Sequence, residues 1–271
     1  MKKILISLFA IILLSQSTAF AHQPRIPDGD DILVTDPEIS KAYYSKLDGT
    51  PHTYTISSDV SFLLYVNLLV PDIEGQKKDV SAKIIKDGDI ESPIAVLDGK
   101  NFEWTKFFEP FGYDSYFMGP EYEEKVDAGK YEITVYSDNN DSKYSLAVGK
   151  LENFDFKEIV NALNLVPEIK RDFFGEYPAN FIFSPFGWGF VLIMFLFSFI
   201  VGFACKFILK KRGNIGRTGR LLRLLISVSL FAIAIMTSWS PILLFFSGYA
   251  LFEAMFGWCV VYAAMGKRGS F

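Results

Sequence analysis

The stretch Gly189-Phe-Val-Leu-Ile-Met-Phe-Leu-Phe-Ser-Phe-Ile-Val-Gly-Phe-Ala-Cys205 contains no charged residue and decides how the rest of the chain is arranged. Extended to residues 188–209, it can cross a hydrocarbon layer about 30 Å thick as a helix that rises about 1.5 Å per residue. Trp188 stands where an interfacial aromatic residue is expected, and Lys210-Lys211-Arg212 follow the run. The sequence therefore predicts a transmembrane helix over about 188–209.

Two further apolar runs, at about 221–239 and 242–265, are joined only by the short turn Thr237-Ser-Trp-Ser-Pro241. Arginines 217, 220 and 223 lie at the start of the first run, and Lys267-Arg268 follow the second. Loops rich in Lys and Arg remain on the cytoplasmic side of a membrane. We therefore expect residues 181–271 to form a three-helix membrane region with a cytoplasmic C-terminus, and the N-terminal part to lie outside.

The two halves of the chain differ in charge. Residues 22–180 hold 30 of the 31 acidic residues but only 16 of the 27 basic ones, which gives a formal charge of −14. The membrane region holds nine basic residues and a single acid, Glu253. An acidic domain lacks the basic surface with which proteins bind nucleic acid, so we expect no nucleic-acid partner.

Residues 1–21 have the three parts of a secretory signal peptide. Met1-Lys-Lys3 is a positive region, residues 4–14 are apolar, and Ala19-Phe-Ala21 fits an A-x-A cleavage site. We expect removal of this segment, so that the mature chain begins at His22 in the periplasm. An uncleaved anchor is the alternative.

Residues 22–150 consist of short alternating runs broken by Asp-Gly and Asn-rich turns. Strands are predicted at 53–56, 61–70, 81–85, 94–97, 131–136 and 144–148, with a short helix at 40–47. Such strands are typical of an antiparallel β-sandwich, and about 130 residues can form one core without disulfides. The predicted fold class is an α+β membrane protein, an extracytoplasmic antiparallel β-sandwich followed by three transmembrane helices.

The segments 126–136 and 143–148 resemble the closing hairpin of the bacterial pre-peptidase C-terminal type of β-sandwich. The resemblance extends over about 25 residues. It implies a fold and no activity.

Residues 151–180 connect the sandwich to the membrane region. Phe156, Ile159, Val160 and Leu163 recur at helical spacing. The sequence predicts a short amphipathic helix before Pro167, in a linker that is docked rather than floppy.

An aromatic-rich segment spans residues 101–122. Aromatic platforms bind sugars and peptides or dock on partner proteins, whereas one strand and a long loop closing the sandwich core would be the structural alternative. The candidate ligand or partner contacts are Trp104, Phe107, Phe108, Phe111, Tyr113, Tyr116 and Phe117.

Residues 214–223, the hydrophobic hairpin after them and Phe256-Gly-Trp-Cys-Val-Val-Tyr-Ala-Ala-Met-Gly266 resemble the small two-helix membrane module of the YgaP type. That module is best known attached to a rhodanese domain in bacterial inner membranes. Val260 departs from the pattern, in which proline commonly follows the cysteine, and this chain contains no rhodanese domain. The resemblance implies an inner-membrane anchor that can also pair chains into homo-oligomers, and it does not imply sulfur transfer.

Catalytic chemistry has few candidate residues. The sequence contains no CxxC, GxGxxG, P-loop, HExxH or G-x-S-x-G pattern, so we expect no enzymatic activity. The two cysteines, Cys205 and Cys259, both lie in predicted membrane helices at similar depth. They could form a redox-sensing pair, or they could simply be packed thiols.

Copper is the one cofactor that the residues suggest. Cleavage after Ala21 would free the α-amine of His22 next to its imidazole, and an amine with two imidazoles suits copper. The second imidazole would come from His52, the only other histidine. The alternative is a free N-terminus, with His52 placed at a turn after Pro51.

Glu253 lies within the third apolar run, where an unpaired carboxylate would cost several kcal/mol. We expect it to face the helix bundle and to hydrogen-bond a hydroxyl of the second helix, Ser227 or Ser229. It would then serve as a contact between subunits or be satisfied within its own hairpin. Taken together, the sequence predicts a periplasmic ligand- or partner-binding protein anchored in the inner membrane, with a copper-binding protein as the alternative.

Overall fold

A computed structural model describes residues 22–209 and 213–266. The predicted signal peptide, Lys210-Lys211-Arg212 and Lys267-Arg268 lie outside the described residues. The chain divides into two compact units. Within the described residues, the first unit comprises residues 22–110 and 114–155. The second unit comprises Phe111–Tyr113 and the described residues from Phe156 onward.

Eleven strands in the described part of the first unit form two sheets. The six-stranded sheet has the order β1-β3-β11-β5-β9-β8. Its strands are β1 (Gln23–Arg25), β3 (Lys41–Lys46), β5 (Phe62–Pro71), β8 (Thr105–Glu109), β9 (Asp114–Val126) and β11 (Lys143–Val148). The five-stranded sheet has the order β2-β4-β10-β6-β7. Its strands are β2 (Asp31–Val34), β4 (His52–Ser58), β6 (Ser81–Lys86), β7 (Ala95–Leu97) and β10 (Gly129–Tyr136).

The inward-facing side chains of both sheets pack into one hydrophobic core, as in a β-sandwich. Strands β4 and β10 alternate buried and half-buried residues, because one face of each meets the core. Strand β5 is buried almost throughout. All six predicted strands are present, with bounds that differ by a few residues. In chain order they are β4, β5, β6, β7, β10 and β11, which correspond to the predictions at 53–56, 61–70, 81–85, 94–97, 131–136 and 144–148.

Three details of the sandwich differ from the prediction. Residues 41–46, expected in a helix, form β3, because Ala42 and Tyr43 are buried between β1 and β11 and tertiary pairing overrides the local pattern. Strands β10 and β11 do not form a hairpin with each other, since β10 pairs with β4 and β6 while β11 pairs with β3 and β5. The β1–β3 and β2–β4 pairs are parallel, so the sandwich is mixed rather than purely antiparallel.

The second unit is helical. Its α-helices are α1 (Phe156–Glu168), α2 (Pro185–Leu209), α3 (Arg217–Thr237), α4 (Pro241–Phe256) and α5 (Val260–Ala264). A π-helical turn (Ile169–Phe173) and a 3-10 helix (Pro178–Phe183) connect α1 to α2. Helices α2 and α3, with 25 and 21 residues, are long and apolar enough to cross a membrane.

The predicted third span is broken into two helices. Helix α4 has 16 residues and is therefore about 24 Å long. It ends at Gly257, whose φ of 58° is a left-handed conformation that glycine adopts without steric cost. Cys259 is extended before the five-residue helix α5. The prediction of one helix over 242–265 was wrong because apolarity alone does not reveal this turn.

Small residues bring α2 and α4 close together within one chain. The Ser198 hydroxyl donates to the Phe245 carbonyl of α4 at 2.8 Å. Gly202 lies against the Phe252 ring, and Gly248 lies against Ser198. These close contacts are the ones that small residues permit between membrane helices.

Candidate functional site

The aromatic segment 101–122 folds into a β-hairpin of β8 and β9 rather than one strand and a long loop. Three of its predicted contact residues serve the sandwich instead. The Trp104 indole donates to the Gly99 carbonyl at 2.7 Å, and its ring occupies the space beside Gly119. Tyr116 is buried, with its hydroxyl 3.0 Å from that of Tyr44. Phe117 packs against the core, and the Lys78 ammonium lies 4.1 Å from its ring centroid.

The other four aromatic residues separate into two pairs. Phe107 and Phe108 are 37% and 50% exposed on β8, which is the edge strand of its sheet. Phe111 and Tyr113 group with the second unit, where their rings lie 5.1 Å from Phe186 and 5.6 Å from Phe183. Of the five predicted residues on the sandwich, Phe107 and Phe108 are therefore the exposed ones.

His52 belongs to a buried chain of polar groups that sequence reasoning missed. Its Nδ1 lies 2.8 Å from the Tyr144 hydroxyl, which lies 2.8 Å from that of Tyr54. Its Nε2 lies 3.3 Å from Asp30 at the surface. Burial lowers the pKa of His52, and the attraction of Asp30 and Asp48 opposes that effect. With a neutral ring, His52 accepts from Tyr144 and donates to Asp30. His52 and Tyr54 share one face of β4, but Asp30 beside β2 and Tyr144 of β11 reach them only through the tertiary fold, which no local signal reveals.

His22 has a different partner. Its Nδ1 lies 2.5 Å from the Ser40 hydroxyl, immediately before β1 of the six-stranded sheet, whereas His52 begins β4 of the other sheet. Burial lowers the pKa of His22 to about 4. Within residues 22–209 and 213–266, no group of three or more His, Cys, Asp or Glu side chains could hold a metal ion. The two-histidine copper site stays a prediction.

The acid of the membrane region pairs with an arginine. Glu253 accepts from Arg223 Nε at 2.7 Å through Oε2 and from the Val260 backbone N–H at 3.3 Å through Oε1. The serine partners expected from the sequence lie elsewhere. The Ser227 hydroxyl is 3.4 Å from that of Ser247, and Ser229 is exposed. Arg223 belongs to the basic start of α3, and it reaches Glu253 because α3 and α4 pair as an antiparallel hairpin in which Ser227 also lies opposite Ser247.

Two further contacts hold the end of α4 against the start of α3. Arg220 donates to the Ala254 and Met255 carbonyls at 2.6 and 2.8 Å, which satisfies acceptors that the end of a helix leaves open. The Asn214 side chain donates to the Cys259 carbonyl at 2.9 Å and accepts from the Cys259 N–H at 2.7 Å. The segment before α3 and the break after α4 thus form one hydrogen-bonded unit.

Residues 210–270 match the YgaP-like transmembrane family. The description of that family is "Inner membrane protein YgaP-like, transmembrane domain". The match confirms the resemblance seen in the sequence and identifies the chain as a membrane protein with a YgaP-like module.

Two solved structures are similar to this chain over about half its length. The pre-peptidase C-terminal domain of a collagenase from Bacillus anthracis is 15% identical, with 46% of this chain and 97% of that domain covered and a TM-score of 0.29. CorA, a surface-associated copper-binding protein of Methylomicrobium album BG8, is 8% identical, with 47% and 100% covered and a TM-score of 0.25. Scores this low carry no inference about function. No curated protein sequence matches the chain.

Within the YgaP-like module, these polar contacts fix the Cys259 backbone through Asn214 and pair Arg223 with Glu253. The Arg223 guanidinium donates to the Glu253 carboxylate and to the Gly219 carbonyl, and it lies 5.5 Å from the Tyr262 ring centroid. The module therefore contains a built polar cluster, in addition to the apolar surface that an anchor requires.

Proposed function

We propose that this chain is a non-catalytic binding protein whose β-sandwich lies in the periplasm and whose YgaP-like module holds it in the inner membrane. The apolar helices α2 and α3 and the family match support the membrane location. The signal-peptide pattern and the basic residues around α3 support the orientation. The lipid bilayer is then a permanent partner. Association of chains stays a prediction, because the small residues of α2 and α4 already pack within one chain.

The contact surface that we propose is the outer edge of β8, and its exposed phenylalanines are the observation that carries the proposal. An edge strand presents backbone donors and acceptors to a partner. Phe107 and Phe108 add large apolar side chains of the kind enriched at protein interfaces. We therefore favour a partner protein that contacts both the edge and the two rings.

Site-specific photo-crosslinking tests this surface. A benzophenone amino acid replaces Phe108 in one strain and Val60, which is 68% exposed elsewhere on the sandwich, in the control strain. The proposal predicts a discrete adduct from position 108 that weakens when Phe107→Ser is added, and none from position 60. Equal adducts from both positions, or none from position 108 in cells grown under several conditions, would contradict it.

Copper binding is the alternative function, and the state of His22 favours it. Because burial lowers the pKa of His22 to about 4, its imidazole is neutral at pH 7, and the neutral form binds metals. If the mature N-terminus is a copper site, His22→Ala or one added N-terminal residue should abolish binding by the processed chain. Both ring nitrogens of His52 already have partners. Loss of copper on His52→Asn would therefore require a rearrangement of this network.

A further inference from the structure

Helix α1 carries one apolar stripe along its whole length. Phe156, Ile159 and Val160 lie in its first half, and Leu163 and Val166 continue the spacing of three and four residues in its second half. Side chains at this spacing lie on one face of a helix. We call these five residues the α1 stripe.

The two halves of the α1 stripe have different surroundings. Leu163 and Val166 are half-buried and pack against a buried cluster formed by Phe181, Val191, Ala234, Trp239 and Leu244. Phe156, Ile159 and Val160 are 80%, 38% and 41% exposed. One continuous apolar face is therefore covered by the second unit in its second half and left exposed in its first half.

The cluster that contacts α1 lies at one end of the spanning helices. Val191 is in the second turn of α2, Ala234 is in the last turn of α3, and Leu244 is in the first turn of α4. Trp239, in the turn between α3 and α4, donates from its indole Nε1 to the Pro178 carbonyl at 2.9 Å. Because α2 and α3 are long and apolar enough to cross a membrane, α1 is held where these helices leave the hydrocarbon layer.

Exposed aromatic residues lie at the same end of the spanning helices. Tyr177 and Phe183 stand at the two ends of the 3-10 helix that precedes α2, and Trp188 lies in the first turn of α2. These three side chains are 73%, 62% and 60% exposed. Tyrosine and tryptophan are enriched where a membrane meets water, because one part of each ring is apolar and another is polar. This end of the second unit therefore has the composition of an interfacial layer.

We propose that the first half of α1 lies in the interface of the bilayer, where lipid acyl chains cover Phe156, Ile159 and Val160. The second half rests on the spanning helices, and Phe156 lies about 10 Å further along α1 than Leu163, at about 1.5 Å per residue. Lipid surrounds a spanning bundle at this level, so the exposed half of the stripe continues the lipid-facing surface of α2 and α3. An amphipathic helix in this plane buries its apolar face at the boundary between headgroups and acyl chains. The contact is the same whichever side of the membrane this end faces.

The charges of α1 indicate which part of a lipid it contacts. Its single basic residue, Lys157, is accompanied by two acids, Glu158 and Glu168. A helix without an excess of positive charge gains no electrostatic attraction to anionic headgroups. The apolar stripe therefore provides the contact, and neutral and anionic lipids should serve equally.

Photo-crosslinking of the full-length chain in liposomes tests this contact. A benzophenone amino acid replaces Ile159 in one variant and Lys157 in the matched control, because both positions are exposed and lie on opposite faces of the same turn. Leu196, which is 54% exposed on α2, is the reference position for contact with lipid. The liposomes contain phosphatidylcholine alone or phosphatidylcholine with phosphatidylglycerol. Intact-mass spectrometry measures the fraction of chains that gain the mass of one phospholipid.

Positions 159 and 196 should give lipid adducts in similar yield in both kinds of liposome, and position 157 should give several-fold less. A crosslinked dimer from position 159 would show that a second copy of the chain covers the stripe, and it would overturn the proposal. Three other results would also overturn it: no lipid adduct from position 159 when position 196 gives one, equal adducts from positions 159 and 157, or an adduct from position 159 only in liposomes with phosphatidylglycerol.

Discussion

Arg223 donates from Nε to the Glu253 carboxylate at 2.7 Å, and this ion pair joins α3 to α4 in the YgaP-like module. Both side chains are largely buried, with 15% and 11% of their surfaces exposed. A buried pair of this kind contributes little beyond the cost of desolvating two charges, but the loss of one partner leaves an uncompensated charge. The pair therefore contributes to the relative position of α3 and α4 more than to the net stability of the unit.

Removing one partner should cost more than removing both. Glu253→Leu leaves Arg223 buried without its counter-ion, and we expect a loss of about 3–5 kcal/mol of stability. The double variant Arg223→Met with Glu253→Leu should recover a large part of that loss. Thermal unfolding in detergent micelles measures the three proteins. A double variant less stable than Glu253→Leu alone would show that the two side chains are not coupled.

Two glycines of α2 provide a matched pair for the helix packing. A Cβ at Gly202 would lie 2.6 Å from the ring of Phe252, which is fully buried, whereas a Cβ at Gly189 meets nothing within 4 Å. Gly202→Ala should destabilise the unit by about 1–3 kcal/mol through overpacking. Gly189→Ala should be neutral or slightly stabilising, because alanine is the better helix former. Equal effects of the two substitutions would contradict the α2–α4 contact.

The sandwich should lose stability as the pH falls below about 6.5, the ordinary pKa of histidine. Burial lowers the pKa of His52 and of His22, the latter to about 4, so the unfolded chain binds more protons than the folded chain between these values. Stability is therefore complete above about 6.5 and decreases toward pH 4, by at most about 1.4 kcal/mol per pH unit for each histidine.

Hydrogen exchange of β4 and β11 in the full-length chain reports this change. Protection should decrease between pH 6.5 and 4, and His52→Gln, which cannot titrate, should reduce the pH dependence. Protection that increases on acidification would mean that the ion pair with Asp30 outweighs the burial of His52.

The sequence pattern and the distribution of charge were enough to predict most strands and the first two membrane helices. Residues alternate along β4 and β10 because one face of each strand meets the core. The residues of α2 are apolar almost throughout, as a membrane-spanning helix requires. Residues 41–46 have no such pattern strong enough to outweigh local helical signals, and only their pairing with β1 and β11 makes them a strand. The break at Gly257 was hidden because an apolar run looks the same whether or not the helix continues.

The candidate sites depended on distant contacts and were harder to predict. The sequence predicts a polar partner for Glu253, but it assigns Arg223 to the basic flank that sets the orientation, so the predicted partner is instead a serine of the same helix as Arg223. The aromatic segment was recognised as unusual, yet its composition could not separate Trp104 and Tyr116, which serve the sandwich, from Phe107 and Phe108, which face solvent. Phe107 pairs directly with Tyr116, and the position of β8 at the edge of its sheet leaves Phe107 exposed while Tyr116 is buried.

Sidedness of the sandwich is the most direct test of the account. Val60→Cys in a Cys205→Ser, Cys259→Ser chain places one thiol at an exposed position of the first unit. A maleimide that cannot cross the inner membrane is added to cells whose outer membrane has been permeabilised. The account predicts full labelling before the inner membrane is opened; labelling only after it is opened would place the sandwich in the cytoplasm and contradict the proposed function.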